Sequence, residues 1–340
     1  MSRNRKRDHL QICLQEDTRS CQSTGLERHR LAHCALPELD RSDIDTSTRF
    51  LGHDLSVPLL FSAMTGGVDE ASEINRNLAR VAQELGLAMG LGSQRAALER
   101  PELLATYQVR DVAPDILLFA NLGAVQLAEG YSSEQCARLV DAVGADALVL
   151  HLNPLQEALQ PEGDTHFRGL LARIASVCRA LDVPVIAKEV GWGISAEVAV
   201  RLQACGIAAI DVAGAGGTSW AKVEAQRCDD WREQQVASAF TDWGIPTADA
   251  LVAVHGRLPD MPLIASGGVR SGVQVAKCLA LGADLVGLAG PLLAPASESP
   301  QALHDAVWII RRQLEIAMFC CGRVDIARLD SSCLRQRIAQ

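Results

Sequence analysis

The sequence predicts an α/β protein: a (β/α)8 TIM barrel with an N-terminal extension and an insertion after strand six. Three observations support this prediction. Eight short apolar runs recur along the chain, helical patterns lie between most of them, and glycine clusters follow the last three runs. Near-continuous apolar runs are typical of parallel strands buried on both faces. Strands that alternate with helices imply parallel βαβ units, and eight such units close most simply into a barrel.

The eight predicted strands are short, and each ends in small or polar residues. In chain order they are PLLFSAM from Pro58, LAMGLGS from Leu87, DILLFANLG from Asp115, ALVLHLN from Ala147, PVIAKEV from Pro184, AIDVAG from Ala209, PLIASGG from Pro262 and LVGLAG from Leu285. The first helical pattern, DEASEINRNLARVAQELG, places Ile74, Leu78, Val81 and Leu85 on one face and ends at Gly86. An amphipathic helix that stops at a glycine is therefore expected after strand one.

Two segments lie outside the regular strand and helix repeat. The step from Ala209 to Pro262 is far longer than the others, and its central part, WAKVEAQRCDDWREQQVASAFTDWGIPT, is rich in charge and tryptophan. We expect this insertion to form a lid or an extra helix over the carboxyl ends of the strands. Residues 1–57 form the N-terminal extension, which could cap one end of the barrel or reach into the site, and residues 58–340 form the barrel with a C-terminal helical tail.

Composition narrows the possible functions. Acidic residues outnumber Lys and Arg by 41 to 32, a net charge of −9, which argues against a general nucleic-acid binder. The basic start MSRNRKR is not followed by a long apolar stretch, and no run of apolar residues is long enough to cross a membrane. A cytoplasmic enzyme is expected. The eleven cysteines form no C-x-x-C pair, so we expect free thiols rather than a zinc site or a disulfide framework.

Glycines at the predicted strand ends indicate a phosphate site. In a barrel of this kind the active site lies at the carboxyl ends of the strands, and a phosphate often binds after strands seven and eight. Gly214, Gly216 and Gly217 follow strand six, Gly267 and Gly268 follow strand seven, and Gly290 follows strand eight. Backbone N–H groups of glycines approach a phosphate closely, and a helix N-terminus adds partial positive charge. The alternative is that these glycines only make tight turns.

Two strand ends carry further polar groups. Lys188, at the end of strand five, needs an anionic partner in an apolar barrel, either a bound ring that carries negative charge or a local acid such as Glu189. The segment HLNPLQE places His151, Asn153, Gln156 and Glu157 within seven residues. Glu157 with neighbouring oxygens could hold Mg²⁺, and His151 could equally be a buried core histidine.

Basic residues near the start of the chain are candidate anion ligands. Arg5, Lys6, Arg7 and His9 either form a solvated tail or reach a bound anion. Arg95, at the end of strand two, is the better-placed cation for a diphosphate.

Nine sequence blocks resemble, in the same order, the type 2 isopentenyl-diphosphate isomerase family. They are RKRDHL, PLLFSAMTGG, GLGSQRAAL, ANLGAVQL, HLNPLQEALQPEGD, PVIAKEVGWGIS, IDVAGAGGTSWAKVE, WGIPT and ASGGVRSG. The resemblance spans residues 5–293. It implies an enzyme that binds FMN and Mg²⁺ and interconverts isopentenyl and dimethylallyl diphosphates in isoprenoid biosynthesis, with reduced FMN as acid and base and NADPH as the reductant.

The resemblance also implies roles for individual residues. Flavin contacts are expected at Ala63, Met64, Thr65, Ser93, Asn121, Lys188, Thr218, Gly267, Gly268, Ala289 and Gly290. Substrate contacts are expected at Arg5, Lys6, His9, Ser93, Gln94, Arg95 and Gln156. Gln156, His151 and Asn153 are the expected catalytic residues, and Glu157 is the expected metal ligand. The family also implies a homo-oligomer, a tetramer or an octamer.

A rival hypothesis is an FMN-dependent oxidoreductase of the 2-hydroxy-acid oxidase type. That reaction needs a His base and an Arg that clamps the substrate carboxylate over the flavin, whereas the ends of strands six and seven offer mainly glycine, Thr218 and Ser266.

Proton transfer to an unactivated alkene is poorly matched to any weakly acidic side chain, so Gln156 cannot be that acid unaided.

Overall fold

The computed structural model describes residues 2–336, so the last four residues of the predicted tail, 337–340, lie outside the described part. Four elements precede the barrel: helix α1 (Ser2–Gln15) and strands β1 (His29–Leu31), β2 (Thr48–Phe50) and β3 (His53–Leu55). The barrel strands are β4 (Leu59–Phe61), β5 (Ala88–Gly90), β6 (Leu118–Gly123), β7 (Ala147–Leu152), β8 (Val185–Glu189), β9 (Ala209–Asp211), β10 (Leu263–Ala265) and β11 (Leu285–Leu288). A last strand, β12 (Leu334–Gln336), pairs antiparallel with β1.

All eight barrel strands are parallel and the sheet is closed, because β9 pairs with β10 and β11 pairs with β4. This confirms the predicted fold class and all eight predicted strand positions. Within β4, Leu59 and Phe61 join the layer between strands and helices, whereas Leu60 joins a second buried cluster with residues such as Ile186 and Ile264 of other strands. Burial on both faces explains why the strands have near-continuous apolar sequences.

Helices follow each of the barrel strands. They are α2 (Asp69–Leu85), α3 (Arg95–Glu99), α4 (Ser133–Val143), α5 (Pro154–Leu159), α6 (Leu170–Ala180), α7 (Ala196–Ala204), α8 (Trp220–Arg227), α9 (Trp231–Ser238), α10 (Thr247–Arg257), α11 (Gly272–Ala280), α12 (Gly290–Glu298) and α13 (Pro300–Cys320). Helix α2 buries Ile74, Leu78 and Val81 and ends at Gly86, whose φ of 64° is left-handed. This capping geometry is the one that the sequence predicts, since glycine adopts it without a steric penalty.

The segments before and within the barrel cover its two ends. Phe50 and Leu55, from the β2–β3 hairpin, pack into the buried cluster formed by inward-facing barrel residues such as Leu60 and Ile186. Helix α1 lies over the opposite, carboxyl end, where it contacts α8 of the insertion and α12. The insertion thus forms two extra helices, α8 and α9, before the regular barrel helix α10.

Among residues 2–336, no helix is both long enough and apolar enough to cross a membrane. All eleven cysteines lie in this part of the chain, and none of them forms a disulfide there.

Candidate active site

A cavity of about 630 Å³ opens at the carboxyl ends of the barrel strands. Its wall is formed by strand ends, by α1, and by residues of the insertion such as Trp220. The residues to which the resemblance assigns a role all line this cavity with one exception, Gln94. The side chain of Gln94 is fully buried, and its Oε1 accepts a hydrogen bond from the backbone N–H of Asn121 at 2.9 Å. Gln94 therefore supports a residue of the wall and is not itself exposed to the cavity.

The glycines after strands six and seven all pack closely against backbone atoms, and some of them also line the cavity. Side chains at Gly214 and Gly216 would collide with the backbone of Thr247 and Thr24, so close packing explains these two positions. Gly267 and Gly268 have left-handed φ angles of +101° and +77° and also line the cavity. Close packing therefore accounts for Gly214 and Gly216, and a phosphate site is compatible with Gly267 and Gly268.

The N-terminus of α12 begins at Gly290 and faces the cavity, and a Cβ at this position would meet nothing within 4 Å. The N-terminus of a nine-residue helix that faces a cavity presents partial positive charge to an anion. On the same wall, Ser62 Oγ is buried without a hydrogen-bond partner. Together these groups fit a phosphorylated cofactor such as FMN.

Lys188 lies on the cavity wall beside a carboxylate that the sequence analysis did not identify. Its Nζ is 3.3 Å from Asp211 Oδ2, and Lys188 and Asp211 are register partners in the β8–β9 pair. Asp211 Oδ1 accepts a hydrogen bond from Ser266 Oγ at 2.6 Å. A local acid is therefore present beside Lys188, and it is Asp211 rather than Glu189, while Lys188 still lines the cavity. Glu189 provides only its backbone carbonyl oxygen to Lys188, because its carboxylate accepts three backbone N–H groups of the following turn.

His151 is a part-buried, neutral histidine that lines this cavity. It lies opposite Lys188 in the β7–β8 register, and its Nδ1 is 2.8 Å from Asn121 Oδ1. Burial, followed by the positive charges of Lys188 and Lys6, lowers the pKa of His151 to about 3. Near neutral pH the ring is therefore a neutral imidazole, which offers hydrogen-bonding groups but no acidic imidazolium proton.

The HLNPLQE segment builds a hydrogen-bonded network at the start of α5. Asn153 Nδ2 donates to Gln156 Oε1 at 3.1 Å and to Glu157 Oε1 at 2.8 Å. Glu157 Oε2 accepts from Gln160 Nε2 at 2.6 Å and from the backbone N–H of Asp164 at 2.8 Å. The carboxylate of Glu157 is thus fixed at the cavity wall, where Pro154 begins the helix.

These groups have the oxygen ligands that a magnesium site requires. Glu157 offers a carboxylate, and Asn153 Oδ1 is buried without a hydrogen-bond partner. Within residues 2–336 no cluster of three or more His, Cys, Asp or Glu could by itself enclose a metal. Mg²⁺ commonly takes only one or two protein carboxylates and completes its shell with water and substrate phosphate.

Helix α1 reaches the network through His9. His9 Nε2 is 2.9 Å from Glu224 Oε1, and Gln156 Nε2 donates to the same oxygen at 3.0 Å. The other oxygen of Glu224 accepts from Arg227, and His9 also packs edge-on against Trp220. Burial acts to raise the pKa of Glu224, but the contacts with His9 and Gln156 and the charge of Arg227 lower it to about 2. Glu224 is therefore an ionised anchor that orients Gln156 and the first helix.

Arg95 lines the cavity but is engaged by acidic side chains. Its guanidinium lies 2.7 Å from Glu99, 2.8 Å from Asp164 and 3.8 Å from Glu129. An incoming anion at this position would meet a cation whose charge is already shared with carboxylates.

Comparison with known proteins decides the family. Proteins named isopentenyl-diphosphate delta-isomerase from Nostoc sp., Synechocystis sp. and Stutzerimonas stutzeri are 52%, 55% and 52% identical to this chain. The alignments cover 99%, 96% and 98% of the chain and 97%, 94% and 97% of those proteins. The chain belongs to the isopentenyl-diphosphate delta-isomerase family. The resemblance seen in the sequence blocks is thereby confirmed.

The isomerase-family chain is also related to flavoproteins. The family model described as FMN-dependent dehydrogenase matches residues 120–336. Among solved structures, a flavocytochrome b2 variant with pyruvate bound has a TM-score of 0.70 at 18% identity, over 96% of this chain and 82% of that one. A lactate oxidase from Pediococcus acidilactici has a TM-score of 0.68 at 18% identity, over 97% and 88% of the two chains. At that identity these structures show the shared barrel fold alone.

Sequence reasoning missed several residues of this isomerase-family site. Asp211 and Glu224 are buried carboxylates that organise Lys188 and Gln156, and Tyr107 lies behind the wall beside Lys6. One signal was present for Asp211: it is the acidic residue within the strand AIDVAG, and a charge inside a barrel strand requires a partner. No comparable local signal marks Tyr107.

Proposed function

We propose that this protein catalyses the interconversion of isopentenyl diphosphate and dimethylallyl diphosphate through a 1,3-allylic proton shift, in isoprenoid biosynthesis. The observation that carries the proposal is that relatives with this name are about half identical to the chain over nearly its whole length. The geometry supports it, because cationic residues and a candidate magnesium ligand share one cavity with a glycine-rich anion site.

The diphosphate would bind among the cations at the mouth of the cavity. Arg5, Lys6 and His9 reach the cavity from α1, and Arg95 reaches it from the start of α3. Mg²⁺ at Glu157 would join the diphosphate on the same side, and the ion would offset the crowding of negative charge there. Anchoring the diphosphate in this way fixes the hydrocarbon end deeper in the barrel.

Residues of the strand ends would hold FMN. They are Ala63, Met64, Thr65, Ser93, Asn121, Lys188, Thr218, Gly267, Gly268, Ala289 and Gly290, all of which line the cavity. When bound, reduced FMN would supply the acid–base chemistry that isomerisation of an unactivated alkene demands.

The chain's own side chains do not offer a strong acid for this step. His151 is neutral because of its lowered pKa, Glu224 is ionised, and Gln156 is an amide. The amide of Gln156 is instead held between Asn153 and Glu224 at the cavity wall. We therefore assign Gln156, Asn153 and His151 to orienting the substrate. Helices α1 and α8 cover the cavity and would keep water from a developing cation.

The FMN-dependent 2-hydroxy-acid oxidase hypothesis is weaker. It is favoured by the match to the FMN-dependent dehydrogenase family model and by the shared fold of proteins that are 18% identical, whereas relatives at 52–55% identity over nearly the whole chain have the isomerase name. Reduction of the flavin by NADPH, assembly into a tetramer or an octamer, and a cytoplasmic location remain parts of the proposal. Light scattering after size-exclusion chromatography measures the assembly directly.

An anaerobic assay tests the proposed activity. The purified protein should be yellow, and it should convert isopentenyl diphosphate only when the flavin is reduced and Mg²⁺ is present. The allylic product is followed by its lability in acid. Equal activity with oxidised flavin in the presence of a chelator would refute the proposal, as would oxidation of a 2-hydroxy acid without isomerisation.

A further inference from the structure

A tyrosine behind the cavity wall contacts one of the candidate diphosphate ligands. Tyr107 is fully buried and does not line the cavity. Its ring packs under the turn that follows β4, where side chains at Gly66 and Gly67 would collide with it. The ring position is therefore fixed by packing, and only the hydroxyl group points towards polar atoms.

The hydroxyl group forms a closed triangle with two other groups. Lys6 Nζ donates to Tyr107 Oη at 2.5 Å and to the backbone carbonyl of Ser93 at 2.7 Å. Tyr107 Oη donates to the same carbonyl oxygen at 2.7 Å. The ammonium also lies 5.2 Å from the centre of the tyrosine ring, within the range of a cation–π contact. Two of the three N–H donors of Lys6 are thus directed at fixed protein oxygens, and the third is left for the cavity.

The contacts with Tyr107 and Ser93 fix the position of the Lys6 ammonium, which ends a flexible side chain. A lysine ammonium on a four-carbon stem has many rotamers, and each fixed acceptor removes some of that freedom before a ligand arrives. Burial and the neighbouring charge of Arg5 also lower the pKa of Lys6 to about 7, so oxygen partners help to keep the group protonated. Phenylalanine in place of Tyr107 would keep the packing but remove one of the two acceptors.

We propose that Tyr107 is a positioning residue for substrate binding: its hydroxyl group fixes the Lys6 ammonium so that the free N–H meets the diphosphate. The inference rests on the proposed function, since it assumes that Lys6 binds the diphosphate. Tyr107 itself touches neither substrate nor flavin, so its effect is exerted entirely through Lys6.

A double-mutant cycle tests this assignment. Steady-state kinetics with isopentenyl diphosphate, reduced FMN and Mg²⁺ are compared for the wild type, Tyr107→Phe, Lys6→Met and the double variant. We expect Tyr107→Phe to raise KM about tenfold with kcat within about twofold, and Lys6→Met to raise KM further. In the Lys6→Met background, Tyr107→Phe should have no further effect, because the group it positions is absent.

Several outcomes distinguish the possibilities. An unchanged KM in Tyr107→Phe, or the same fold-change with and without Lys6, would overturn the positioning role. An unchanged KM in Lys6→Met would instead contradict the substrate contact assumed under the proposed function. Tyr131→Phe is the matched control, because Tyr131 is the other tyrosine of the chain and its hydroxyl contacts Glu99 rather than Lys6. Its KM should stay within about twofold of the wild type.

A second measurement does not depend on the folding of Tyr107→Phe. In the Tyr131→Phe chain, Tyr107 is the single remaining tyrosine, so growth on 3-fluorotyrosine labels that position alone. Fluorine makes the hydroxyl oxygen a poorer acceptor while the ring stays in place. A KM raised a few-fold over unlabelled Tyr131→Phe supports the proposal, and an unchanged KM overturns it.

Discussion

Neutralising Asp211 tests whether the barrel contains its own counter-ion for Lys188. The carboxylate is about 1% exposed, and its Oδ2 lies 3.3 Å from Lys188 Nζ. Asp211→Asn keeps the size of the side chain and an oxygen for the hydrogen bond from Ser266, but it removes the negative charge. Lys188 would then be a nearly buried cation whose remaining contacts are neutral, chiefly the carbonyl oxygen of Glu189.

The separation sets the expected loss of stability. At an effective dielectric constant of about 20, two unit charges at this distance attract by about 5 kcal/mol. Removing one partner of a buried pair typically costs about 3–5 kcal/mol, and the carbonyl contact of Lys188 favours the lower end. With an unfolding entropy of about 2.1 cal/mol/K per residue, a loss of about 3 kcal/mol in a chain of 340 residues lowers Tm by about 4 °C.

The measurement is thermal unfolding of the flavin-free protein, so that no bound anion replaces the lost charge. Asp249→Asn is the matched control: Asp249 pairs with Arg28, but both side chains are about half exposed, and such pairs contribute less than about 1 kcal/mol. A decrease in Tm for Asp211→Asn no larger than that of the control would refute the conclusion that the buried pair stabilises the barrel.

Two further predictions concern His151 and Glu157. The pKa of His151 is lowered from 6.5 to about 3, so on acidification the unfolded chain takes up this proton before the folded chain does, and stability falls between these pH values. In His151→Asn the free energy of unfolding should fall by about 2 kcal/mol less than in the wild type when the pH is lowered to about 5. Identical plots of Tm against pH for the two proteins would contradict this. Glu157→Gln should raise the half-saturating Mg²⁺ concentration at least about tenfold and leave FMN content unchanged, with exposed Glu134→Gln as the control. A loss of FMN from Glu157→Gln in parallel with the weaker Mg²⁺ response would argue against a metal role for Glu157.

The fold could be predicted from the sequence because its signals are local. Each barrel strand is a short apolar run, and the glycine at position 86 marks the end of α2 within the sequence itself. The position of the site follows from the fold, since the carboxyl ends of all eight strands meet at one end of a barrel. This rule was sufficient to bring His151, Lys188 and Gly267 to a single cavity.

The partners of these residues could not be predicted in the same way. That Lys188 lies beside Asp211 depends on the register of β8 against β9, and a shift of one residue would point Asp211 to the other face. That Glu224 holds Gln156 depends on how the insertion folds back, which no periodicity specifies. Gln94 shows the opposite error: its place beside Ser93 and Arg95 suggests a substrate contact, but its side chain turns into the wall.

The way in which α1 is held connects the N-terminal extension to substrate binding. This 14-residue helix is mostly polar, and among its described side chains only Leu10 is fully buried. Helices of this length are marginally stable in water without tertiary contacts. Polar contacts therefore contribute much of the stability of α1 on the barrel. Lys6 contacts Ser93 after β5, and His9 contacts Glu224 of the insertion, so these two residues of α1 contact opposite sides of the cavity. An anion bound between them would strengthen the docking of the helix that covers it. Substitution of Lys6 or His9 should therefore raise KM clearly, while the Tm of the barrel changes little.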